Sequence, residues 1–210
     1  MAHLLGFNGY VATYKAFEEE SLLPVALVAI HHSGVADPHA FDKFQAEFEP
    51  LIHLPASRLC QPFACGTSLD HYWAAYEWQT GQHLGVAVRD YGLPQRSEAF
   101  QWMSELADAV GTLHRRGESH RIISPASVFI TDFYQVKLLH TCWGRIVRAV
   151  EGGLKNTAFM SVIPFVAPEI AAGQEGEESA DVYSIGAILY FLLSRHPPFW
   201  DDDPGPLADS

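Results

Sequence analysis

Apolar positions along this chain change rhythm from one half to the other. Tyr10 to Phe17 and Val25 to Ile30 are short runs rich in β-branched and aromatic residues, separated by an acidic turn ending in Pro24, and they predict a β-hairpin. Arg58 to Gly66 and His71 to Trp78 predict two more strands, closed by a turn at Gln79-Thr80-Gly81-Gln82. Between these pairs, His39 to Leu54 places Phe41, Phe44, Phe48, Leu51 and Ile52 at spacings of three and four. That spacing predicts a helix with one apolar face, opened by Asp37 and bent or shortened by Pro50.

The second half has the longer period. Ser97 to Arg116 predicts the clearest helix, with Phe100, Met103, Ala107, Val110 and His114 on one face and Gly117 as its stop. Ser127 to Thr131 and Gln135 to Leu139 predict short strands around a turn at Asp132-Phe133-Tyr134. Cys142 to Ile163 is long and irregular, and Ala180 to Ser194 predicts a strongly apolar helix ended by Arg195-His196-Pro197-Pro198. The pattern is therefore α+β, strand-rich first and helix-rich second.

Composition narrows the functional classes. The 210 residues are 48% hydrophobic and 18% charged, enough for a core in one large or two small lobes. Lys and Arg number 13 against 25 Asp and Glu, a formal net charge of -12 that opposes nucleic acid and anionic membrane surfaces. Cys60, Cys65 and Cys142 are odd in number and lack Cys-x-x-Cys spacing, which fits a reducing compartment. Met1 to Leu5 lacks the features of a secretory signal, and the longest apolar run, Ile185 to Leu193, is far short of the about 20 residues a membrane span needs. The expectation is a cytoplasmic protein, or the cytoplasmic domain of a longer, membrane-anchored one. His140 and Cys142 are soft-metal ligand types, but no second pair accompanies them, so no metal site is expected.

Motif order now suggests a family. Ser119-His120-Arg121-Ile122-Ile123-Ser124-Pro125-Ala126-Ser127 resembles the protein kinase loop His-Arg-Asp-Leu-Lys-Pro-Glu-Asn. Gly6-Phe7-Asn8-Gly9-Tyr10-Val11 leading into Tyr14-Lys15-Ala16 resembles the glycine-rich loop and its strand, and Pro24 to Ile30 resembles the strand that carries the phosphate-binding lysine. Phe165-Val166-Ala167-Pro168-Glu169 resembles the Ala-Pro-Glu segment, and Asp181-Val182-Tyr183-Ser184-Ile185-Gly186 the start of the large central helix. The likeness runs along nearly the whole chain and is nearest to bacterial Ser/Thr kinases of the eukaryotic-like type. It implies a two-lobed kinase-like fold: a β-rich N-lobe over 1–79, an α-rich C-lobe over 80–200 lacking its last helices, and an acidic, proline-bearing linker or tail over 201–210.

The resemblance also implies which positions would carry chemistry, and most hold unsuitable residues. Ile122 stands where the family has its base, Ser124 where it has a lysine, and Ser127 where an asparagine holds magnesium. Val28 replaces the phosphate-binding lysine, or His31 does in a shifted register; His140 replaces the magnesium aspartate; Asn8 and Val11 fall on two glycine positions. Gly6, Glu47, His120, Arg121, Pro125, Ala167, Pro168, Glu169, Asp181 and Gly186 are retained, and by family likeness Asp181 braces the backbone at His120 and Arg121. Glu47 would pair with the missing lysine, so a surface position is expected for it. Trp73, Tyr76 and Trp78 either fill the adenine slot or pack the core.

The implied protein is a pseudokinase, a scaffolding or regulatory signalling module that does not bind ATP with magnesium, has no catalytic residues and no cofactor, and acts through protein partners. Partners could include an active kinase or a phosphothreonine-binding domain, with Thr157 as the modified residue and Arg121 as its internal phosphate contact. The contact surface would be Cys142 to Ile163 or the flank near Trp200. The competing class is an unconventional kinase or nucleotide-binding transferase using Asp132, His140 and Glu47 as replacement acids.

Overall fold

The computed structural model describes residues 2–7, 11–31, 39, 42, 45, 46, 48, 49, 52, 58–60, 62–68, 70–139, 161–174 and 176–198. Five strands open the chain: β1 (His3–Phe7), β2 (Val11–Phe17), β3 (Pro24–His31), β4 (Pro62–Thr67) and β5 (His71–Glu77). They form an antiparallel sheet in the order β1-β2-β3-β5-β4. The predicted hairpin is β2 and β3, with Val28 opposite Thr13 on one side and Ala74 on the other. β1 was not expected as a separate strand, because Leu4 and Leu5 are both exposed and give no alternating signal. Its place is set by backbone pairing with β2.

Asp42, Gln45, Ala46, Phe48, Glu49 and Ile52 are helical, as their spacing predicts. Phe48 is fully buried and meets the Tyr76 ring edge-on at 6.3 Å between centroids. The predicted strand from Arg58 begins later, at Pro62. Arg58 to Cys60 instead lies along the second sheet: Leu59 bridges Leu138 in parallel, Cys60 N–H donates to Leu138 O at 2.9 Å, and Leu138 N–H to Arg58 O at 2.8 Å. Arg58 also pairs with Glu105 at 2.5 Å. Burial alone would raise the Glu105 pKa, but hydrogen bonds from Val136 N–H and Gln101 together with the Arg58 charge hold it below the usual carboxylate range.

That second sheet is β6 (Gly81–His83), β7 (Val128–Thr131) and β8 (Val136–Leu138), in that order. Gly81 and Gln82, predicted as a turn, belong to β6. Gly81 has φ +133°, and a Cβ there would collide with the Ile130 carbonyl, so glycine serves close strand approach. The turn at Asp132-Phe133-Tyr134 is present, with Tyr134 N–H donating to Thr131 O at 2.8 Å.

The helices are α1 (Leu84–Tyr91), α2 (Arg96–His114), α3 (Pro168–Ala171) and α4 (Glu178–Ser194), with a 3₁₀ turn at Ile163–Phe165. α1 went unpredicted because eight residues with only Leu84 and Ala87 buried carry too short a stripe to register. In α2 the buried face is Ala99, Trp102, Met103, Leu106, Ala109, Val110 and Leu113, while Phe100 and Ala107 are exposed. The stripe is rotated from the predicted one because Trp102, Leu106 and Leu113 bring more apolar area to the core than Phe100 alone. Gly117 does end this region with φ +72°, its N–H bonded to His114 O.

Two apolar clusters result. One joins α2, α4 and the second sheet. The other bridges the halves, combining Val28, Ile30, Phe48, Cys60, Ala74 and Tyr76 with Ile122, Val166, Ala167, Ile170 and Ala180.

Candidate functional site

The loop Ser119 to Ser127 is held from below by one carboxylate. Asp181, near the start of α4, is fully buried. Its oxygens accept the backbone N–H of His120 at 2.8 Å and of Arg121 at 2.6 Å, and the Nε2–H of His114 at 3.0 Å. Burying such a group is tolerable only with donors of this kind. Asp181 thus ties the backbone at His120 and Arg121 to α4, with His114 as a further donor that the sequence had not suggested. Arg121 sits at φ +72°, a conformation a non-glycine residue adopts only when neighbours impose it. Its Nε–H donates to Gly176 O at 3.1 Å.

His120 turns its ring to Leu139 O, with Nε2–H donating at 2.8 Å. Burial pushes its pKa down, against the upward pull of the Asp181 charge and the Leu139 bond. Ser124 and Ser127 close on each other: the Ser127 hydroxyl accepts Ser124 N–H at 3.0 Å and donates to Ser124 O at 3.0 Å, and the Ser124 hydroxyl accepts Ala126 N–H at 3.3 Å. Both serines are buried, as is Pro125, whose carbonyl accepts Gly85 N–H at 3.2 Å. Ile122 is buried within the cluster that bridges the halves.

Above the loop, a cavity of about 440 Å³ opens between the two sheets. Gly6, Thr13, Ala26 and Val28 line it from the first sheet, and Tyr76, Trp78, His83, Val86, Phe129 and Leu139 from the rest. Val28, only 2% exposed, and Val11 both pack with the bridging cluster. Among the described residues, no Lys or Arg lines the cavity. Lys15 lies nearby, but its ammonium rests 4.5 Å from the Trp78 ring centroid, and Lys137 faces Glu77 at 3.9 Å. His83 opens α1 and meets Phe129 edge-on at 5.4 Å. Its burial lowers its pKa against a hydrogen bond involving the Ala126 backbone. Cys60 donates its thiol to Glu77 O at 3.3 Å, and burial, reinforced by the Glu77 charge, pushes that thiol up to about 12. His83 and Phe129 had not been singled out, since a cavity wall of mixed residues leaves no spacing signal.

Other expected positions distribute differently. Tyr76 and Trp78 line the cavity, whereas Trp73 covers Gly66, with which it pairs across β4 and β5. Asp132 does not line this cavity; it sits in the β7–β8 turn beside a separate one. Gly6 pairs with Thr13 in β1, and a Cβ there would meet open space, as would one at Gly186 in α4. Ala167 caps α3 and is buried, Pro168 begins that helix, and among the described residues Glu169 makes no ion pair. Asn8, Glu47, His140 and Thr157 lie outside the described residues, as does most of Cys142 to Ile163. Among the described residues no group of three His, Cys, Asp or Glu is placed to hold a metal ion, and no helix is long and apolar enough to cross a membrane.

Known proteins resemble this chain in sequence along nearly its whole length. The chain is 24% identical over 212 residues to serine/threonine-protein kinase PknB of Mycobacterium leprae, covering 99% of this chain and 34% of that protein. It is 24% identical over 201 residues to a probable serine/threonine-protein kinase, pknA2, of Bifidobacterium longum, covering 94% of this chain and 26% of the relative. The chain therefore spans between about a quarter and a third of the length of these curated relatives. The protein kinase domain family matches residues 2–207, from the first sheet through the braced loop to α4 and beyond, and this chain belongs to that family.

Proposed function

We propose that this chain is a pseudokinase, a kinase-fold module that binds protein partners and transfers no phosphate. One observation carries the reading. Val28 and Ile122, at the positions where family likeness puts the phosphate-binding lysine and the base, are both apolar and buried in the same bridging cluster. A proton acceptor and a phosphate-holding cation are both absent from those positions, and removing a base alone typically lowers the rate by about 10²–10⁴. Ser127 adds support, because its hydroxyl is already engaged with both backbone groups of Ser124 and is poorly placed to serve a magnesium ion.

A transferase reading rests on the cavity itself, which persists at about 440 Å³ with aromatic walls. The two readings separate in one experiment: thermal-shift and calorimetric titration with ATP, with and without magnesium or manganese. The pseudokinase reading expects no metal-dependent binding and no phosphate transfer to a generic substrate. Binding that requires the metal overturns it.

A further inference from the structure

A second cavity, of about 580 Å³, opens on the flank of the helical half between α1, the start of α2 and the β7–β8 turn. Val88 and the buried Trp102 line its depth. Tyr91 and Tyr134 stand beside it with 81% and 71% of their surfaces exposed, unusually open for such large rings. Tyr134 is held there at φ +58°, a conformation unfavourable for a tyrosine, by the hydrogen bonds of the turn. Among the described residues, the charged groups lining the cavity are both acidic, Glu98 and Asp132. One Glu98 oxygen accepts Gln95 N–H, while the Asp132 carboxylate has no partner among the described residues. The neighbouring cation on α1, Arg89, is occupied by Asp90 at 2.8 Å.

The geometry points to this groove as the docking site for an extended, basic, proline-containing segment of a partner protein. Aromatic-walled grooves suit proline-rich segments, whose preformed extended helix loses little entropy on binding. Tyrosine faces attract Lys or Arg, and the two carboxylates add charge complementarity. The sign of the charge also rejects the nearer occupants. The chain's own acidic runs, Glu18 to Glu20 and Asp201 to Asp203, would be repelled, and a second copy brings a net charge of -12. This assignment gives the binding role proposed above its partner chemistry and rests on that reading to that extent. The groove does not include Val28 or any residue of the Ser119 to Ser127 loop.

The test uses the whole chain and an arrayed library of fluorescein-labelled twelve-residue peptides. Half the library carries fixed arginines and prolines; the other half has glutamate at the arginine positions. Fluorescence anisotropy is expected to find basic members with Kd below about 100 μM, binding at least about tenfold tighter than their acidic counterparts and weakening with salt. Tyr91→Ala and Tyr134→Gly should each weaken the best binder about tenfold, and Asp132→Asn about threefold. Tyr91 is so exposed that its truncation should leave the thermal melt unchanged, so loss of folding cannot imitate the result. The assignment is overturned if no basic peptide binds at about 1 mM, or if binding ignores both Tyr91→Ala and Asp132→Asn. Metal-dependent ATP binding with peptide binding intact would instead sink the pseudokinase reading and leave the groove standing.

Discussion

The two sides of the Ser119 to Ser127 loop are built by opposite physics. Beneath it, a fully buried carboxylate on α4 accepts three hydrogen bonds, an arrangement that is expensive to desolvate and destabilising if broken. Facing the other half, Ile122 joins Val28, Ile30, Phe48 and Tyr76 in a cluster that needs only shape and apolar area. Polar satisfaction fixes where the loop lies, while apolar packing decides what the loop can do. The polar side needs particular donors and an acceptor in fixed positions, whereas the apolar side needs only residues of suitable shape.

Breaking the polar side should have the largest effect. Asp181→Ala strips the acceptor from the buried His120 N–H, the partly buried Arg121 N–H and His114, and is expected to lower stability by about 3–5 kcal/mol in urea unfolding. If the brace were incidental, the loss would stay below about 1 kcal/mol.

The apolar side responds next. Ile122→Asp would place a carboxylate in the bridging cluster, and a loss of about 2–4 kcal/mol is expected, with no phosphotransfer gained. A solvated position that merely lost its acid would accept the aspartate with little change in melting temperature. Ser127→Ala should come third, at about 1–2 kcal/mol, because it leaves the buried Ser124 N–H without its acceptor.

Acid should probe His120 more gently. Its folded pKa lies below the ordinary value of about 6.5, so the unfolded chain binds the proton first and stability falls as pH drops below that value. The loss approaches about 1.4 kcal/mol per pH unit until the folded-state pKa is reached. Comparing urea midpoints at pH 7.5 and 5.5 tests this, and His120→Gln, which does not titrate, should flatten the difference. Glu105 adds an acid-labile contribution only at lower pH, through its folded pKa below the usual carboxylate range.

Local signals carried well where one residue determines its own geometry. The β2–β3 hairpin, the turn at Asp132 to Tyr134 and the Gly117 stop follow from β-branched runs, turn residues and a left-handed glycine. The rotated stripe of α2 and the strand at Gly81 did not carry, because both depend on which partner surface arrives. Likewise, motif spacing made Asp181 and the Ser119 to Ser127 loop visible, but nothing in the spacing pointed to His114 as a third donor. Cys60 illustrates the same limit, since its thiol is pushed to about 12 by burial that only the meeting of Arg58 to Cys60 with β8 creates.

By itself the sequence determined the strand-rich then helix-rich order of the chain, the family, and the residue types standing at each chemical position. Those are properties of single residues and their spacing along the chain. Only the tertiary structure decided that Val28 and Ile122, 94 positions apart, belong to one buried cluster, and that Tyr91 and Tyr134 flank one acidic groove. Burial and long-range pairing are settled by what the rest of the chain brings against a residue, and no local pattern encodes that.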